Sequence, residues 1–317
     1  MNKHREDSNY WIEKLKINNL TITDEKEFKE YIDNYNFFIF VKKYSKLLYK
    51  THNENIPIYK EESNSQMIIN LFNLDRRLST LILEDIFIIE RKLSTLIYKE
   101  IMNKNLHEIP ELNEKYFYNL SDEEFYYIFP RLEKYIFNNN PQNKSSIIFF
   151  KELFFSKKGI KKKMIWNWIS ELTFGQLCEI FFLLTRDSKK YITYLFFKDF
   201  QHNNLYFQFE KTLELIKHMR NIICHNHPIY DFKYKKYKKN QTYPNDTNNK
   251  KHIIILYNKL FNENIKNIKL YNVVMLINLI SPQKKDLCYW FKKEIDSFSS
   301  ENNIDFSNNI KNFMNYK

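Results

Sequence analysis

Arg220, Asn221 and His225 stand within six residues of one another in the stretch Leu213-Glu-Leu-Ile-Lys-His-Met-Arg-Asn-Ile-Ile-Cys-His-Asn-His-Pro228. Metal-free cleavage of RNA needs two kinds of group. One takes a proton from the ribose 2′-OH or gives one to the leaving oxygen, and the other is a cation set against the charge that builds on phosphorus. His225 and Arg220 have the side chains for those two roles, and Asn221 adds a neutral hydrogen-bonding group beside them. His227 lies two residues beyond His225, so either histidine is placed to face a phosphate.

These residues sit at the end of an expected amphipathic helix. At 100° per residue, Leu215, Ile216, Met219, Ile222 and Ile223 share one apolar arc, while Glu214, His218, Asn221 and His225 share the opposite one. Pro228 disfavours helical geometry at His227, which puts His225 in or just past the last turn, where the negative end of the helix dipole favours an imidazolium. On an ideal helix Arg220 and His225 point about 140° apart. One straight helix cannot aim both at one phosphate, so either the helix ends between them or a second copy completes the site across a two-fold axis.

The composition limits what else the chain can be. Its 317 residues, 43% hydrophobic and 17% aromatic, are enough for one large or two modest cores. Two glycines rule out glycine-rich phosphate loops and tight hairpins as a design, which leaves helices with polar connections and an all-α fold. The formal net charge of +12 suits a polyanionic partner. Cys178, Cys224 and Cys288 are too few and too far apart for a zinc cage or a disulfide framework, so no metal or other cofactor is expected and the expected compartment is a reducing, cytoplasmic one. No signal peptide and no long uncharged apolar run suggest contact with a membrane.

In chain order, Asp24-x-x-Glu27 opens a pair of short helices reaching about Tyr49, and residues 51 to 64 read as a loop. From Ser65 to about Asn103, leucines and isoleucines recur every three or four residues, which predicts a long core helix interrupted by Glu84, Glu90 and Arg91. Ser121-x-x-Glu124 predicts a helix to about Asn138, a short apolar stretch follows at 147 to 155, and a basic turn at 156 to 163. Thr173 is placed to cap a helix, and Gly175 beside Phe174 predicts close packing. Further helices are expected at about 191 to 200, 207 to 224, 253 to 260 and 268 to 297. The division this suggests is an N-terminal helical segment at 1–64, a helical core at 65–232, a basic aromatic loop at 233–251 and a C-terminal helical segment at 252–317. In that loop Tyr234 and Tyr237 alternate with Lys233, Lys235, Lys236, Lys238 and Lys239, a pattern able to stack on unpaired bases while contacting the backbone.

Three blocks of this sequence resemble the abortive-infection Abi family of the AbiD/AbiF type, within the HEPN ribonuclease superfamily. The first runs from Leu74-Asp75-Arg76-Arg77-Leu78 through Ile89-Glu90-Arg91 to Ile97, the second is Leu172-Thr-Phe-Gly-Gln-Leu177, and the third is Met219-Arg-Asn-Ile-Ile-Cys-His225. The resemblance spans about residues 65 to 232. It implies a HEPN-type helical bundle with additional N- and C-terminal helices, acting as an endoribonuclease with Arg220 and His225 as the catalytic pair. It also implies Glu90 as the acidic residue orienting the arginine, and a homodimer that brings two motifs together. The further implications are metal-independent cleavage leaving a 2′,3′-cyclic phosphate, and phage defence or a toxin role restrained by a regulatory small RNA. Cys224 stands where the family's motif carries alanine, and His227-Pro228 departs from what usually follows it.

Two other readings fit the same residues. A non-catalytic RNA-binding protein would use the basic tracts to hold a structured RNA, and a helical scaffold would use Arg220 and His225 only to satisfy each other and a carboxylate. His225-Asn226-His227 spells the letters of an HNH nuclease, but its helical setting lacks the ββα-metal hairpin which that chemistry requires.

Overall fold

The computed structural model describes residues 7–51, 57–108, 169, 172–197, 205–234, 268–282 and 286–316. Among them the chain forms ten α-helices and one two-stranded sheet, the all-α class expected from its scarce glycine and helical periodicity. The expected elements at 121–138, 147–155, 156–163 and 253–260 lie outside the described residues, as do Lys235, Lys236, Tyr237, Lys238 and Lys239.

Helix α4, Ser65–Glu108, organises the fold. At 1.5 Å per residue its 44 residues extend about 66 Å. Ile68, Leu71, Leu74, Leu78, Ile82, Ile86, Ile89, Leu93 and Ile97 are fully buried along one stripe. Each such side chain contributes about 1.5–3 kcal/mol by leaving water. Helices on both sides in sequence cover this stripe, so the buried residues join into one hydrophobic cluster.

Three helices precede α4. The first, α1 (Ser8–Ile17), lies before the expected start of structure at Asp24; Asp7 caps it by accepting the N–H of Asn9 at 2.9 Å. Only Ser8, Ile12 and Leu15 are buried in it, a periodic signal too short to stand out in sequence. Asp24 caps α2 (Glu25–Tyr35) as its spacing predicts, accepting from Glu27 at 2.9 Å. Asn36, at φ 65°, ends α2 and caps α3 (Phe37–Tyr44), the single residue by which the chain turns. A small antiparallel pair forms where the expected helices end and the expected loop at 51–64 begins: β1 (Tyr49–Thr51) pairs with β2 (Ile58–Tyr59), with Tyr49 opposite Tyr59.

After α4 come α5 (Phe174–Leu183), α6 (Arg186–Phe196) and α7 (Leu205–Cys224), all of which contact α4. Thr173 and Gln176 form a capping box at the start of α5. The single helix expected from 268 to 297 is two, α8 (Leu270–Ile280) and α9 (Leu287–Glu301), because Ser281-Pro282 ends the first. A last helix, α10 (Ile304–Met314), packs on α9. No helix among the described residues is long and apolar enough to cross a membrane.

Candidate active site at the end of helix α7

Of the apolar arc expected from its sequence, helix α7 buries Leu215, Ile216, Met219 and Ile223 and leaves Ile222 half-buried; it also buries Leu213 outside that arc and leaves Asn221, Cys224 and His225 exposed. It ends in a Schellman turn. The N–H of His227 bonds to the carbonyl of Ile222 and that of Asn226 to the carbonyl of Ile223, both at 3.0 Å. Asn226 occupies the left-handed position at φ 53°, which asparagine tolerates better than most side chains. His225 is therefore the last residue before the chain turns away, as Pro228 predicts.

The turn is fastened to α4. Asp75, itself buried, accepts the N–H of Ile229 at 2.9 Å and of Tyr230 at 2.8 Å on one oxygen, and the Tyr44 hydroxyl at 2.9 Å on the other. Burial outweighs these three donors and pushes its pKa up to about 7. Beside it Arg76 donates to the side-chain oxygen of Asn226 at 2.9 Å. Tyr230 donates its hydroxyl to the carbonyl of Lys43 at 2.8 Å, joining α3 to the same turn.

Arg220 and His225 part company in this arrangement. Arg220 is half-buried, with its Nε enclosed and without a hydrogen-bond partner. Glu90, on α4, lies close enough for the guanidinium to favour its carboxylate form and also accepts the N–H of Phe174 at the start of α5. Burial is the larger influence on Glu90 and raises its pKa, and its Oε2 is likewise enclosed without a partner. So Glu90 and Arg220 are half-buried near each other without a hydrogen bond between them, while His225 is exposed one helical turn on.

His227 is exposed, and its Nδ1 accepts from the Lys43 ammonium at 3.2 Å. Partial burial first, then the charges of Lys43 and His225, hold its pKa below the ordinary histidine value. An ammonium can only donate, so the neutral ring carries its proton on Nε2. Lys43 was not legible as part of this site, since 184 residues separate it from His227.

At the start of the basic loop, Lys233 is exposed with its ammonium 5.1 Å from the Phe313 ring centroid. Tyr234 is half-buried against the core, its N–H bonded to Ile268. Gly175, expected to mark a close approach, does not: a Cβ there would meet Lys217 Cδ at 3.7 Å, ordinary contact. Among the described residues no three His, Cys, Asp or Glu side chains stand together as a metal-binding group.

No curated protein and no solved structure is detectably similar to the chain. The family described as Abi-like protein matches residues 30–231, a span that starts in α2 and takes in α4, the Thr173 cap and the whole Arg220–His225 turn. With more than half of the 317 residues inside that match, the chain belongs to the Abi-like protein family.

Proposed function

We propose that this protein is a metal-independent endoribonuclease of abortive-infection phage defence, in which Arg220, Asn221 and His225 from two copies of the chain form one composite site. The observation that carries the reading is the division of labour around α7. Arg220 lies half-buried within electrostatic reach of Glu90, and His225 stands exposed on a turn that Asp75 and Arg76 fix in place. A cation near a carboxylate and an imidazole open to solvent are the parts that 2′-OH attack requires.

In the proposed step His225 takes the 2′-OH proton, the 2′-oxygen bonds to phosphorus, and the bond from phosphorus to the 5′-oxygen breaks. The 5′-oxygen leaves with the proton that the His225 imidazolium gives back, producing a 2′,3′-cyclic phosphate and a 5′-hydroxyl end and restoring the neutral imidazole. Arg220 stabilises the charge on the phosphorane oxygens. Because Arg220 and His225 diverge within one chain, a partner's motif supplies the missing direction. A regulatory RNA restraining the enzyme belongs to the same proposal.

The test is incubation of the protein with RNA in EDTA and mapping of the ends produced. Cyclic-phosphate ends that disappear in His225→Ala and in Arg220→Ala support the reading. Activity that appears only on adding a divalent metal sinks the mechanism. Tight, salt-sensitive RNA binding with no new ends selects the second reading, a non-catalytic RNA-binding protein. That alternative draws on the enclosure of Arg220 Nε, which limits how much of this guanidinium reaches solvent.

A further inference from the structure

A cleft of about 460 Å³ opens between the end of α2, helices α3 and α4, and the Asn226 turn. It is large enough for one small ligand and too small for a duplex. One wall is aromatic: Tyr35, 39% exposed, has its ring centroid 4.7 Å from that of the buried Phe72. Part of the rest of the lining is cationic and polar. Arg76 and His227 belong to it, and Lys43 stands behind His227 at 3.2 Å. Asp75 also contributes to the cleft, but both its oxygens are taken up by Tyr44, Ile229 and Tyr230. Asn226 accepts from one terminal nitrogen of Arg76, and a guanidinium has five N–H donors in all, enough to hold Asn226 and a phosphate together.

An exposed tyrosine, a rim of arginine and histidine, and side chains of both hydrogen-bonding kinds at Asn34 and Ser79 are the chemistry that receives a single unstacked nucleotide. We propose that the cleft is a nucleotide subsite: one flipped-out residue of an RNA strand lays its base against Tyr35 and its phosphate against Arg76. The same turn carries His225, so a strand seated there passes the proposed cleavage site. The inference rests on the reading of the chain as an RNA-cutting enzyme, and it adds to that reading the place where the substrate strand is gripped.

The experiment uses full-length protein carrying His225→Ala, so that RNA survives. Binding of a short oligoribonucleotide containing 4-thiouridine is followed by fluorescence anisotropy, and after irradiation the cross-linked residue is mapped by mass spectrometry. Adding Ser79→Trp, which fills the cleft at the cost of one hydroxyl group, is expected to weaken binding about tenfold or more, as is adding Arg76→Ala. The cross-link is expected on Tyr35 or its neighbours in the protein with an unaltered cleft, a result that does not depend on either substitution folding. Unchanged affinity in folded Ser79→Trp, or cross-links only elsewhere, overturns the subsite. Nucleoside 5′-monophosphates that bind the cleft as tightly as the oligonucleotide assign it to free nucleotides and overturn its RNA form. Cleavage by the otherwise unaltered protein is measured in parallel. RNA cut normally with no dependence on the cleft defeats this inference alone, whereas cleft-dependent binding without any cleavage defeats the ribonuclease reading alone.

Discussion

Asp75 accepts the backbone N–H of Tyr230 at 2.8 Å across 155 residues of chain, and through it the long helix α4 holds the turn that carries His225. The same oxygen takes the N–H of Ile229, so one carboxylate satisfies two buried backbone donors just past Pro228. Without it those donors would be enclosed and unpaired, each costing about 1–3 kcal/mol.

The first prediction follows from the protonation of that carboxylate. In the folded chain its pKa is pushed up to about 7, against an ordinary value of 3.8. The folded state thus keeps the proton to higher pH than the unfolded chain does. The stability this group contributes is full below about pH 4 and is lost as pH rises towards 7 and through it. Asp75→Asn keeps an oxygen for Ile229 and Tyr230 but cannot ionise. The melting temperature of the unaltered protein should fall by several degrees between pH 5 and pH 8, and that of Asp75→Asn should depend less on pH. Parallel curves for the two proteins would refute the assignment.

A second prediction separates Arg220 from His225 by stability. His225 is exposed and nothing packs on it, so His225→Ala should change unfolding free energy by no more than about 0.5 kcal/mol. Arg220→Ala takes the nearby cation from the half-buried Glu90 and should cost about 1–3 kcal/mol. Glu90→Gln together with Arg220→Ala should recover part of that loss, because no carboxylate is left without its counter-charge. Both single variants should lose RNA cleavage. Chemical denaturation of the three proteins measures the difference, and equal losses for Arg220→Ala and His225→Ala would contradict the placement.

What is legible in the sequence is local. The periodic leucines and isoleucines of α4, the Thr173-x-x-Gln176 cap and the apolar arc of α7 all depend on neighbours within a turn or two. The end of α7 is legible for the same reason, since Pro228 is a stop signal two residues beyond the Asn226 that turns the chain. What is not legible depends on distance. Asp75 and Arg76 look like ordinary helix-surface charges until Tyr230 and Asn226 are brought against them. Lys43 lies in an apolar-rich short helix with nothing to link it to His227. The β1–β2 pair has no glycine turn to announce it, and of the two tyrosines that pack across it Tyr49 reads as a helix end and Tyr59 as part of a loop.

A third prediction concerns His227. Partial burial comes first in lowering its pKa, followed by the charges of Lys43 and His225. Replacing Lys43 by methionine removes a positive charge from beside the ring while keeping a similar length of chain. The titration midpoint of His227, followed by NMR of its ring protons, should move upward in Lys43→Met and also in His225→Ala. A midpoint that stays still in both would show that the imidazole is not held against Lys43 in solution.

The last prediction tests how Asn226 contributes to the turn. It adopts φ 53° and also accepts a hydrogen bond from Arg76 at 2.9 Å, two roles that different substitutions separate. Asn226→Gly keeps easy access to positive φ and loses only the contact with Arg76, which is exposed. Asn226→Ala loses that contact and must also hold alanine in the left-handed region, at an added cost of about 1 kcal/mol. The expected order of stability is therefore the unaltered protein, then Asn226→Gly close behind, then Asn226→Ala clearly below. If glycine proves as costly as alanine, the Arg76 contact rather than backbone conformation is what holds the turn. The Arg76→Ala protein should then show the same loss, and it serves as the control in the same set of melting curves.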